Sequence, residues 1–197
     1  MCVHYFAPRA EMLQERDKGK ISSKKPYPYR DIFPGIRAPI YLAAKEGLEL
    51  VELLWGYPVS WQKGPVFNTR LESAIKGKKM WKDSFENRRC LIPCLGFYEP
   101  HKSQRVPSPH TGKPIKQQYL FDKGGDIFYL AGIYQDKYFS LLTTAPNSHV
   151  RSIHDRMPLV VKDQELFLWL GGESEQFLDR EEIKLNIRAR YPQPLQF

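Results

Sequence analysis

The run Arg89-Cys90-Leu91-Ile92-Pro93-Cys94-Leu95-Gly96-Phe97-Tyr98-Glu99 is the most apolar strand-like stretch of the chain, and it ends on an acid. A short continuous apolar run bounded by charged residues and a loop reads as a strand buried in a core. Such a strand with a carboxylate at its end suits a site that must hold a proton near neutral pH, because desolvation raises a carboxyl pKa. Taken alone, Glu99 reads equally well as a surface acid at a strand end.

Further strand-like runs flank it. Residues 40–44 and 48–54 are joined through Lys45-Glu46-Gly47, and a strand near residues 3–6 would bury the N-terminus. Downstream, residues 118–121, 127–134 and 137–144 form an antiparallel set with turns at Lys123-Gly124-Gly125-Asp126 and Gln135-Asp136, followed by a short strand over 158–161. Helical signals are shorter: residues 9–16 behind Pro8, residues 147–153, and residues 164–170 stopping at Gly171-Gly172. Thr69-Arg70-Leu71-Glu72 fits a capping box for a helix whose Leu71, Ala74, Ile75 and Trp81 follow one face. Residues 101–116, with their prolines and glycine, read as a loop. The pattern is α+β.

At 197 residues and 42% hydrophobic, a single domain over residues 1–197 with a substantial core is expected. No apolar run reaches 18 residues and no basic region precedes an apolar segment at the N-terminus. The expectations are therefore no membrane association and a cytoplasmic location. Cys2, Cys90 and Cys94 stand at no zinc-ligand spacing, so no metal or other cofactor is expected, and Cys90 and Cys94 read as reduced core residues. A net charge of +8 suits a polyanionic partner. Residues 18–30, rich in Lys, Ser and Pro, read as an exposed basic loop that is either simply solvated or a phosphate-facing rim.

Cys2 carries the chemistry. Once Met1 is removed it presents a primary amine and a thiol two carbons apart, which together can close a five-membered ring on one aldehyde carbon. An α-amine has a pKa of ~7.7–8.0, so a useful fraction is neutral near pH 7. On Cys2 alone, a small buried hydrophobe behind the initiator Met is the commoner meaning.

Five motifs stand in order along the chain. They are Met1-Cys2, Trp55-Gly56 with Trp61, Asn68-Thr69-Arg70-Leu71-Glu72, the run from Arg89 to Glu99, and His154-Asp155-Arg156-Met157-Pro158. In this order they resemble the SOS-response-associated peptidase (SRAP) family, over nearly the whole chain from Cys2 to about Leu170. The chain departs from the family pattern at Val3-His4, where Gly-Arg is usual, at Thr69 for Ala, and at Pro100 for an aromatic.

The resemblance implies a curved, barrel-like antiparallel sheet with peripheral helices, and a groove for single-stranded DNA or a single-strand/duplex junction bearing an abasic site. It implies that Cys2 forms a Schiff base and then a thiazolidine with the ring-opened sugar, a crosslink that shields the lesion. Asn68 would orient the amine or the sugar, although a helix-start role fits it nearly as well. Glu99 would be the acid/base, and His154 would assist ring opening or reversal. Arg70 and Arg156 would grip phosphates. Trp55, Gly56 and Pro34 would supply the wedge and stacking surface, although paired tryptophans are more often core. A monomer is expected. Two other readings remain: an N-terminal-cysteine autopeptidase or peptidase, and a non-catalytic nucleic-acid binder. An AP-lyase-type side activity would follow from the imine.

Overall fold

A computed structural model describes residues 2–16 and 30–191, leaving aside the Arg30 side chain. In chain order the elements are β1 (Tyr5–Ala7), α1 (Ala10–Arg16), β2 (Arg30–Ile32), β3 (Arg37–Ala43), β4 (Leu48–Trp55), β5 (Asn68–Arg70), α2 (Leu71–Ile75), α3 (Lys82–Asn87), β6 (Arg89–Cys94) and β7 (Gly96–Pro107). They continue with β8 (Pro114–Asp122), β9 (Phe128–Gln135), β10 (Tyr138–Thr144), α4 (Ser148–Arg151), β11 (Met157–Pro158), β12 (Val160–Val161), α5 (Leu166–Leu170) and β13 (Asn186–Ala189). The basic run of residues 18–30 falls almost entirely outside the described residues, as does the end of the tail.

The architecture is α+β, mostly strands in curved sheets. Five strands close on themselves: β10 pairs with β9 and β4, β4 with β3, β3 with β6, and β6 with β9. All these pairs are antiparallel except β10 with β4, and β5 also runs parallel to β10. The wholly antiparallel expectation is corrected there. A parallel neighbour needs a long connection, and the chain between β5 and β10 supplies one. Chain leaves the barrel wall after Trp55 and re-enters at Asn68, so β4 covers Tyr138–Phe139 of β10 and β5 covers Leu141–Thr143. Gly56 makes that exit: its φ is +119°, and a Cβ there would lie 2.8 Å from Pro65 Cβ.

The run of residues 89–99 is two strands. It breaks at Leu95, leaving β6 in the barrel and sending β7 into a second sheet of order β13-β8-β7-β1-β2. Along β6 the side chains alternate between two cores. Cys90, Ile92 and Cys94 join Cys2, Ile40, Phe97, Leu130 and Phe139 in one cluster. Leu91 packs with Tyr41, Leu71, Trp81, Phe85 and Trp169 in the other, under the short helices. Arg89 is a buried strut, its guanidinium lying 4.2 Å from the Phe85 ring centre and 4.5 Å from that of Trp169.

Three local expectations are also corrected. Residues 101–116 are mostly hairpin, because Val106 and Ile115 pair across β7 and β8 and the prolines sit at the Pro107–Pro114 tip, where the ladder ends. Thr69 caps nothing: it lies in β5 and bonds the Ser140 hydroxyl at 2.8 Å, while the N-cap of α2 is Arg70, with no side-chain cap bond. The single helix expected to reach Trp81 is two, α2 and α3.

Gly132 on β9 tests the closure of the barrel. A Cβ there would meet Cys90 Sγ at 2.7 Å and the Ser140 carbonyl at 3.3 Å, atoms of both neighbouring strands. Gly132→Ala is expected to destabilise by about 1–3 kcal/mol through overpacking. An unchanged urea midpoint would contradict this packing.

Candidate active site

The site forms where β1, β5, β7 and the turn after α4 meet. Cys2 has no exposed surface. Its thiol donates to the His4 carbonyl at 3.6 Å, and Asn68 Nδ2 donates to its carbonyl at 2.7 Å. Asn68 thus reaches from the barrel wall to the segment bearing the nucleophile, a contact 66 residues long in sequence. Burial pushes the Cys2 thiol well above its ordinary pKa, and the nearby Glu99 charge pushes the same way.

Glu99 is fully buried on β7. Desolvation raises its pKa to about 8, so at pH 7 the carboxyl is mostly protonated. His154 Nε2 lies 3.7 Å from Glu99 Oε2, and its Nδ1 lies 3.0 Å from the Arg156 carbonyl. In the tautomer whose Nδ1–H donates to that carbonyl, Nε2 keeps its lone pair and faces Glu99. Burial holds the His154 pKa below its ordinary value. A protonated carboxyl therefore faces a neutral imidazole, an arrangement with a proton to give and a base to take one.

The two arginines differ. Arg70 is exposed at the end of β5. Arg156 turns inward, giving Nη1 and Nη2 to Glu72 at 2.7 and 2.9 Å and Nη2 to the Thr143 carbonyl at 2.7 Å. This fork lowers the Glu72 pKa, chiefly through its hydrogen bonds, and ties α2 to β10 beside the His154 turn. Glu72, read from sequence as a capping acid, is the partner of Arg156, 84 residues away.

Trp55 as a stacking surface is corrected. It is fully buried, its indole N–H donates to the Phe67 carbonyl at 2.7 Å, and its ring lies parallel to Phe139. The exposed tryptophan is Trp61, at 65%. Pro34 is half-buried beside exposed Phe33, and Gly35 donates to the Trp55 carbonyl at 2.8 Å. Gly35 and Gly56 thereby line one cleft of about 360 Å³ with Pro58, Pro65 and Tyr138.

His4 is a site neighbour that sequence reasoning did not assign. It bonds Asp31 through Nε2 and stacks between Phe33 and Tyr98, with ring centres 4.3 and 4.6 Å away. Its position as the second departure after Cys2 was a signal, but its partners lie on β2, just after it and on β7, and have no local signature.

Comparison with known proteins gives consistent results. A family model described as SOS response associated peptidase (SRAP) matches residues 1–191. Abasic site processing protein YoqW of Bacillus subtilis (strain 168) is 28% identical over 139 residues, covering 64% of this chain and 58% of that protein. Abasic site processing protein YedK of Escherichia coli (strain K12) is 25% identical over 152 residues, covering 73% and 64%. The chain thus spans 58% and 64% of these relatives' lengths. A crystal structure of a Bordetella bronchiseptica protein superposes with a TM-score of 0.72 at 19% identity, covering 97% of this chain and 100% of that one. A Bacteroides thetaiotaomicron structure gives 0.72 at 20% identity, covering 95% and 91%. These two likenesses are of fold.

The Glu99 environment has a stability signature. Its folded pKa of about 8 lies above the unfolded ~4.3, so the folded state binds the extra proton between those values. Its contribution is greatest below the unfolded value and is lost as pH rises through about 8. Glu99→Gln removes that loss, so its melting temperature relative to wild type should climb between pH 5 and pH 8.5. A difference that stays flat with pH would contradict a buried, proton-holding carboxyl.

Proposed function

The chain belongs to the SOS response associated peptidase (SRAP) family, and from that membership we propose that it processes abasic sites in DNA by covalent capture through Cys2. The observation that carries the reading is the buried Glu99 carboxyl, held protonated at neutral pH, 3.7 Å from His154 and near enough for its charge to be felt at the Cys2 thiol.

With the thiol pushed up by burial, the α-amine freed by Met1 removal reacts first. It adds to the aldehyde carbon of the ring-opened sugar, and the carbinolamine loses its hydroxyl as water, with Glu99 giving the proton. The thiol then adds to the imine carbon, its proton passing to the nitrogen by way of the Glu99 carboxylate or His154. One water leaves and the former aldehyde carbon carries both nitrogen and sulfur, a thiazolidine. Asn68 holds the Cys2 carbonyl and so sets the direction of the amine.

Outside this centre, Arg70 meets a phosphate of the single strand or junction directly, whereas Arg156 is engaged by Glu72 and the Thr143 carbonyl. Trp61, exposed five residues after Gly56, offers a base a face to stack on, a contact worth ~1–3 kcal/mol without sequence readout. Binding is then tolerant of sequence and selective for the aldehyde.

Incubation with an abasic single strand followed by denaturing electrophoresis tests the reading, which expects a heat-stable shifted band. Cys2→Ala keeps the amine but loses the thiol, so it should give only a borohydride-trappable imine and some strand cleavage by elimination. Extra residues retained ahead of Cys2 should abolish both products. A heat-stable band from either variant without reductant would overturn the assignment.

Glu99→Gln and His154→Gln should each slow band formation by roughly 10²–10⁴ while leaving noncovalent affinity within a few fold. A rate loss matched by lost binding or lost stability would instead assign them a structural role.

A further inference from the structure

The distal half of the β7–β8 hairpin has no part in the chemistry, yet its charge is one-sided. From Pro100 to Phe121 the chain has no Asp or Glu, while it carries Lys102, Arg105, Lys113 and Lys116. The hairpin starts at the site itself. The Lys102 amide donates to the Ile153 carbonyl at 2.9 Å, and its ammonium pairs with Asp155 at 2.6 Å, beside His154. Beyond this anchor the strands run outward, and Arg105 stands directly opposite Lys116 in the register.

Like charges directly opposite on an antiparallel pair are destabilising. Both side chains are exposed, and among the described residues neither they nor Lys113 forms a salt bridge. A fold that keeps this repulsion presents two cations at the spacing of one strand pair, with a third at the hairpin tip. From Gln118 to Pro114, β8 extends about 13 Å at ~3.3 Å per residue. That is the length of about four nucleotides of a strand in duplex geometry, at ~3.4 Å each, and of fewer in an extended single strand. Lys116 lies near enough to the site for its charge to lower the His154 pKa.

We propose that this hairpin face, carrying Arg105, Lys113 and Lys116, is a backbone track that holds the phosphates of the strand flanking the nucleotide at Cys2. The proposal rests on the reading of the chain as a DNA-processing protein and adds where the flanking strand runs. The track is assigned to phosphates, since the run from Lys102 to Lys116 holds no Trp, Tyr or Phe to stack a base on. Phosphate contacts position a nucleic acid without specifying its sequence.

The test compares the full chain with Arg105→Glu/Lys113→Glu. The first change places a carboxylate opposite Lys116, so the variant gains a favourable cross-strand pair and its melting temperature should not fall. Noncovalent binding to unmodified single strands of about thirty and about five nucleotides is followed by fluorescence anisotropy over a range of salt. The long strand should bind the variant about tenfold or more weakly, with a salt slope smaller by about 0.7 per lost contact. The short strand, seated at Cys2, should bind both proteins alike.

An unchanged slope with the long strand, or an equal loss with both lengths, would overturn the track. Binding of polyglutamate of matched charge as tightly as the long strand would overturn its assignment to nucleic acid. The reading of Cys2 is tested separately by crosslinking a five-nucleotide abasic strand, which the variant should do at the wild-type rate. If neither protein crosslinks while the long-strand slope still drops, the reading of Cys2 fails and the track stands.

Discussion

The site depends on the burial of one carboxyl. Glu99 sits on β7 just after the chain leaves the barrel for the second sheet, with no surface exposed. Water cannot stabilise its charge there, so its pKa rises to about 8. The same burial keeps Cys2 a thiol and His154 a neutral base. The proposed chemistry needs these three states at the start: an acid to expel water, a base to accept a proton, and a thiol that waits until the amine has reacted.

The fold can be understood as what holds this carboxyl dry. The break at Leu95 turns one apolar run into two strands of different sheets, and the acid lies just beyond the turn. Closure of the barrel through β10 places β5, and therefore Asn68, next to the N-terminal segment. The Arg156–Glu72 fork ties α2 to β10 and sets the turn that carries His154. A partly buried charged pair of this kind contributes geometry more than stability, because its Coulomb gain is largely offset by desolvation. Removing one partner costs more than the pair contributes, since it leaves a charge uncompensated.

Much of this was legible in the sequence, and what was not follows a physical pattern. Period-two and continuous apolar runs located β3, β4, β6, β9 and β10, because burial by sheet packing imprints itself locally. The apolar run also identified Glu99 as an acid delivered by a buried strand. The distal part of the β7–β8 hairpin, residues 101–116, was missed because its prolines and glycine outweigh its few apolar positions, although Val106 and Ile115 pair across it. Glu72 was given a capping role that fits the local pattern, while its actual partner lies 84 residues away. Trp55 and Trp61 look alike in sequence, and only the exit at Gly56 separates the buried ring from the exposed one. Contacts between distant segments, such as His4 with Asp31 and Asn68 with Cys2, leave no short-range trace.

The measurement that bears most directly on the central claim is intact-mass and peptide-mapping spectrometry of the adduct formed with an abasic oligonucleotide, without reductant. The account predicts protein lacking Met1 plus oligonucleotide minus one water, with the added mass on the N-terminal peptide beginning at Cys2 and the Cys2 thiol closed to alkylation. An adduct mapped to a lysine, to Cys90 or to Cys94, or one whose Cys2 thiol still alkylates, would contradict it.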